Sequence, residues 1–381
     1  MGLAPVPLAS SLEFAVPPGQ FPDPYHGLGP CSVSGDGDGF LAFIIGTQES
    51  TTGTSDDLFV VAPNGRSVSP PLNLINTWGA GVDAEGKVLE QASGFMGIFQ
   101  SPGTNPYLGA VHDDGGLSPE VPSLGVGATI LSEDPFGGLV YLAWTGGGLG
   151  ANATAPAFLG SFDASGNQRW AYQIPGPAIP DDFMGASMGV DLQGNTLLLL
   201  GGTAAYPGQA EGRWIDSHGT LGPTFPAGQN GGVFFPRIGG GLFLQTEGSL
   251  VTQDHRWAAT FPPLATTYEP PPPWLASRPN SALHVIRGGQ AYAAYPAPWT
   301  AQGYWGPTSY VIPPDPCPQS VEVLLPDGES CGSAQLPNGS GICDIELGAD
   351  GTLIQLLPMQ TNCDASGDCA CAWQFWPGYL E

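Results

Sequence analysis

Lysine is almost missing from this chain: Lys87 is the only one in 381 residues. Lys plus Arg come to 8 against 34 Asp plus Glu, a formal net charge of -26. A polyanion needs a basic surface, so no nucleic-acid partner is expected, and an anionic membrane surface is disfavoured on the same ground. Long apolar runs are missing as well. None approaches the ~18 residues that a membrane-spanning helix needs, so membrane insertion is not expected. The first residues lack the basic segment of a signal peptide, and Pro5 and Pro7 interrupt them. The five histidines (His26, His112, His218, His255 and His284) form no close pair and no H-E-x-x-H pattern, which leaves zinc without support. Asp36 with Asp38, and Asp364 with Asp368, lack the spacing of an EF-hand loop and fit solvated turns. No metal and no cofactor is expected.

What the chain has in abundance is glycine (58) and proline (41), about a quarter of all residues. Both break helices, which excludes a coiled coil or helical bundle; collagen is excluded because glycine shows no three-residue period. With 41% apolar and 10% aromatic residues the chain has the means to build a core, which argues against disorder. Six of the seven cysteines fall in the last third, in turn-rich sequence: Cys317, Cys331, Cys343, Cys363, Cys369 and Cys371, with Cys31 far upstream. That placement predicts local disulfides in an oxidising compartment. The expectation is a secreted or cell-envelope protein, periplasmic or extracellular, whose signal peptide is not part of this sequence.

A repeat organises the rest. An apolar stretch, a Gly-bearing turn and a second apolar stretch recur, followed after a variable gap by two more stretches around an Asp/Asn-Gly turn. The first turn occurs as Gly37-Asp38-Gly39, Ala84-Glu85-Gly86, Phe136-Gly137-Gly138, Leu192-Gln193-Gly194, Ile238-Gly239-Gly240, Arg287-Gly288-Gly289 and Ala349-Asp350-Gly351. Six intervals separate Gly39 from Gly351, with a mean of 52 residues, a four-stranded blade with loops. The fold class expected is therefore all-β: a single seven-bladed β-propeller over 1–381, with four-stranded antiparallel blades. After Gly351 the chain supplies only two more strands, at 352–358 and 371–377. The alternating segment Ser11–Pro17 is placed as the missing outer strand of the last blade, closing the ring without a covalent bond.

The stretches Gly81-Val-Asp-Ala-Glu-Gly86, Asp163-Ala-Ser-Gly-Asn-Gln-Arg-Trp170 and Gly189-Val-Asp-Leu-Gln-Gly-Asn195 carry a family likeness. On them the chain resembles secreted bacterial β-propellers built from NHL-, SBBP- or PQQ-like repeats. Such families are functionally diverse, so the resemblance implies architecture and export without an activity.

Candidate chemistry is sparse. Gly185-Ala-Ser-Met-Gly189 matches the G-x-S-x-G nucleophile elbow, but strand-like sequence follows where the elbow needs a helix, so Ser187 is expected inside a strand. Gly146-Gly-Gly-Leu-Gly150 has neither the lysine nor the helix of a phosphate loop. The innermost strands would line the channel and present Glu133, Arg237, His284, Arg287, Asp344 and Glu346. Paired carboxylates there could act as acid and base in a glycosidase or lyase, the enzymatic alternative. The strongest non-repetitive feature is aromatic. Between 265 and 318 the insertions Tyr268–Asn280 and Pro296–Pro318 hold Tyr268, Trp274, Trp299, Tyr304, Trp305 and Tyr310. Flat rings with one polar group suit a glycan, a peptide or a protein partner. The expected function is thus an exported binding module contacting its partner through this rim. A polysaccharide-active enzyme and a structural cell-surface subunit are the alternatives. For the cysteines, Cys317 with Cys331 would bridge a hairpin, and Cys31 with Cys343, at equivalent repeat positions, would bolt the seam. Cys363 would close onto Cys369 or Cys371.

Overall fold

Six of the seven glycine turns of the repeat fall between paired strands in the computed structural model. The structure describes residues 186–201, 210–228, 232–249, 254–296, 319–336, 345–348, 351–357 and 372–380 continuously, and elsewhere the strands named below. Two compact units divide the chain: residues 1–118 with 280–381, and residues 119–279.

In the first unit β2 (Val33–Gly35), β3 (Leu41–Ser50), β4 (Gly53–Val61) and β5 (Leu72–Asn76) form one antiparallel sheet. A three-stranded sheet follows, with β6 (Leu89–Gln91), β7 (Gly94–Phe99) and β8 (Tyr107–Val111). Later in the chain come β20 (Ser281–Ile286), β21 (Ala291–Pro296), β22 (Ser320–Leu324) and β23 (Ser330–Gln335). The last sheet contains β24 (Ile345–Leu347), β25 (Leu353–Leu357) and β26 (Ala372–Trp376), and its fourth strand is β1 (Leu12–Ala15). β1 runs antiparallel to β26 with Leu12 opposite Phe375 and Ala15 opposite Ala372.

The second unit repeats the plan. β9 (Ala128–Glu133), β10 (Gly138–Trp144), β11 (Ala157–Asp163) and β12 (Gln168–Ile174) form one sheet. β13 (Ala186–Val190), β14 (Thr196–Gly201), β15 (Ala210–Ile215) and β16 (Leu221–Pro226) form another. β17 (Val233–Pro236), β18 (Leu242–Ser249) and β19 (Asp254–Phe261) make a third, and a single-turn helix, α1 (Pro273–Ala276), follows. The chain is thus all-β, built mainly of four-stranded antiparallel sheets.

One local rule produces five of these hairpins. In 191–195, 216–220, 237–241, 325–329 and 348–352 the first N–H donates to the fifth carbonyl, and the fourth N–H donates back to the first carbonyl. That closure forces the fourth residue to positive φ, and it is glycine each time, for instance Gly194 at 78° and Gly351 at 82°. One turn departs. After β20, Ile286 pairs with Ala291 and the tighter connection holds Arg287 and Gly288 at φ 55° and 57°. In the second sheet Gln91 pairs with Gly94, and the expected turn at Ala84-Glu85-Gly86 lies outside the described residues.

Burial explains why β14 is a continuous apolar run. Leu198 and Leu200 pack with Val140, Leu159 and Trp170 of the preceding sheet, whereas Leu197 and Leu199 pack with Leu242, Leu244 and Phe261 of the following one. A strand covered on both faces has no polar side to show. Neighbouring first strands come so close that a Cβ on Gly189 would stand 2.5 Å from the Phe234 Cβ. Asp191, fully buried, adds a polar fastening. Its Oδ1 accepts the N–H groups of Gln193 and Asn195 (2.9 Å each), and its Oδ2 accepts Asn195 Nδ2 (3.1 Å) and the Gly241 N–H of the next sheet (2.9 Å).

Candidate binding site

The insertion after β19 folds back onto its own sheet. Thr260 and Glu269 exchange backbone hydrogen bonds at 2.8 Å in each direction. α1 then lays the Trp274 ring edge-on against Phe243, with centroids 6.0 Å apart and planes at 89°. The Trp257 indole N–H donates to the Arg278 carbonyl at 2.8 Å, and the Arg278 guanidinium caps the Trp274 carbonyl at 2.6 Å. Trp274 is consequently half-buried and serves packing. Tyr268 differs: it stays 41% exposed while its ring rests 5.8 Å from Phe261. Its hydroxyl occupies the space that a Cβ on Gly228 would need. Trp299, Tyr304, Trp305 and Tyr310 lie outside the described residues.

The second unit has a pocket of about 180 Å³, bounded by the β15–β16 hairpin on one side and the turn leaving β19 on the other. Buried Trp214 contributes its inner wall, Leu221, Pro223 and Leu264 its apolar rim, and Asp216 and Thr220 its polar end. The turn is Pro262-Pro263-Leu264-Ala265, closed by the Ala265 N–H donating to the Pro262 carbonyl at 3.2 Å. Leu264 sits there at φ 58°, a left-handed conformation that suits Gly or Asn and costs a leucine about 1–2 kcal/mol. Its side chain is 50% exposed, so core burial does not offset that cost. Leu221 is 41% exposed on the same rim. The Thr220 N–H (2.7 Å) and the His218 N–H (3.0 Å) donate to Asp216 Oδ1, and these bonds, Thr220 foremost, hold its carboxyl below the usual range. The pocket therefore carries a negative charge at neutral pH. Sequence reading missed it; the available signal was Leu264, a bulky residue where a turn after two prolines favours glycine.

The channel candidates do not assemble into a described site. Glu133 ends β9 and Glu346 lies within β24, but both side chains, and all of Asp344, fall outside the described residues. Arg237 opens the 237–241 turn and is half-buried. Arg287 Nε donates to the Leu380 carbonyl at 2.9 Å, which occupies this guanidinium with the chain's own backbone. His284 stacks on Tyr295 (centroids 5.5 Å, planes 14° apart), its Nε2 3.0 Å from the Tyr295 hydroxyl. Desolvation pulls its imidazole down to about 4. Ser187 lies within β13 opposite Leu199, buried, in a strand rather than at an elbow. Cys331 on β23 is a half-buried free thiol; Cys31, Cys317, Cys343, Cys363, Cys369 and Cys371 lie outside the described residues. Among the described residues no three His, Cys, Asp or Glu side chains gather as metal ligands, and no helix is long and apolar enough to cross a membrane.

No protein-family model and no curated protein matches the chain. Solved structures similar to it include TolB from Acinetobacter baumannii, at 8% identity over 89% of this chain and 81% of that one, with a TM-score of 0.37. A glucose dehydrogenase is similar at 12% identity over 73% and 94%, TM-score 0.37. A subtype N11 neuraminidase-like protein of A/flat-faced bat/Peru/033/2010 follows at 8% identity over 91% and 86%, TM-score 0.35. Likenesses of this size bring no activity to this chain.

Proposed function

We propose that the chain is an exported, single-domain seven-bladed β-propeller that binds a glycan, peptide or protein partner through an aromatic-rich loop face. Seven antiparallel sheets occur among the described residues, each joining strands in sequence order save where β1 completes the last. First strands lie side by side within each unit, β13 next to β9 and β17, and β2 next to β6, as blades around an axis require. In this reading β1 closes the ring, and the cysteine-rich tail belongs to an oxidising compartment. The protein works without a cofactor, and its charge keeps it from nucleic acid.

The observation that carries the binding reading is a concentration of exposed apolar groups. Among the described residues the exposed large apolar side chains are Leu221, Leu264, Tyr268 and Leu325. Two of these line one pocket and Tyr268 follows four residues after Leu264. Exposed apolar side chains gathered at one place mark contact surfaces. The test is a glycan and peptide array probed with the full chain and with Tyr268→Ala, Trp299→Ala and Trp305→Ala. Each variant is expected to melt within about 1 kcal/mol of wild type, as surface changes do, and to lose the ligands that wild type retains. Ligands kept by all three variants, or none retained by wild type, refute the reading.

A further inference from the structure

We infer that the pocket between the β15–β16 hairpin and the turn after β19 docks one apolar side chain of a partner polypeptide, with a Lys or Arg next to it paired to Asp216. The inference rests on the binding reading above and narrows its ligand from glycan, peptide or protein to polypeptide. Three observations select that class. The rim is aliphatic, made by Leu221, Pro223 and Leu264, and Trp214 is buried to 2% exposure, so no open ring face remains for a sugar to stack upon. Leu264 keeps an unfavourable left-handed backbone while half its side chain meets water, which a contact to a partner explains and folding does not. The pocket's one charged wall is Asp216, its carboxylate held by the turn's N–H groups. Charge also decides between partners. A second copy of this chain would bring another -26 against the same surface, whereas a segment pairing Leu, Met or Phe with Lys or Arg complements it.

A randomised peptide display library selected on the full chain, beside a glycan array, tests this. The expected result is enrichment of sequences with a large apolar residue next to Lys or Arg. A synthesised winner should bind about tenfold more weakly when its apolar residue becomes Ser or its basic residue becomes Glu, and should weaken as salt is raised. Leu264→Asn should lower affinity at least about tenfold while melting at or above the wild-type temperature, because Asn tolerates the left-handed backbone. Leu221→Ser should weaken the same peptide, and Asp216→Asn should remove the preference for the basic residue while keeping that for the apolar one. Enrichment without that pairing, or winners indifferent to Leu221→Ser and Leu264→Asn, overturns the inference. If only glycans are retained, and Trp299→Ala or Trp305→Ala releases them, the inference fails while the broader binding reading stands. Retention of nothing removes both.

Discussion

Asp191 shows how much one side chain can hold in this fold. Four donors converge on its carboxylate, one of them the backbone of the next sheet, and no water reaches it. Removing the acceptor strands all four, so Asp191→Ala is expected to cost about 3–5 kcal/mol, the range for breaking a buried charged network. Urea melts should show the loss as a lower midpoint at unchanged slope; a change below about 1 kcal/mol would mean the carboxylate fastens nothing. His284 supplies the pH counterpart. Its imidazole is held near 4 in the fold and titrates at about 6.5 when unfolded, so the unfolded chain takes up the proton first as pH falls. The stability it contributes is full above pH 6.5, declines between 6.5 and 4, and is lost below 4. Measured across that window, wild type should lose roughly 2–3 kcal/mol relative to His284→Phe, which keeps a ring against Tyr295 but does not titrate. Parallel curves for the two proteins would dismiss burial of the imidazole as the cause.

Among the elements, the pairing of β1 with β26 bears the most. Without β1 the outer edge of β26 presents unpaired N–H and C=O groups between Ala372 and Phe375, a template for another chain. Deletion of residues 1–17 is therefore expected to give aggregation or a broadened, non-cooperative melt, read by light scattering and calorimetry. A melt that overlays the full chain excludes a role for β1 in holding the sheet. Strands were the most legible layer in the sequence, because the turn chemistry leaves little freedom. A glycine that must take positive φ at the fourth position of the turn locates the hairpin, and the flanking apolar runs supply the strands. Leu12–Ala15 lies inside the segment read as a strand from its alternation, and Leu353–Leu357 and Ala372–Trp376 lie inside those read from their place in the repeat. In the second sheet Gly81-Val-Asp-Ala-Glu-Gly86 carries the turn signal but lies outside the described residues, and the first described strand, β6, begins at Leu89.

For the molecule as a whole, the repeat was legible and the site only partly so. Trp274 and Tyr268 looked alike as Trp and Tyr in an insertion, but Phe243 claims one ring while the other stays 41% exposed. That difference depends on a neighbour distant in sequence, and composition has no access to it. The pocket was invisible for a similar reason: Trp214, Leu221 and Leu264 belong to three segments that only the packing of β15, β16 and the β19 turn brings together. Finally, the sheet shared by β1 and β26 imposes an order of events on biogenesis. A ribosome delivers Leu12 long before Phe375, so the earliest strand must wait, unpaired, for the last one to emerge. This sheet cannot be completed until β26 has left the ribosome, and its completion includes the entropic cost of a very long loop.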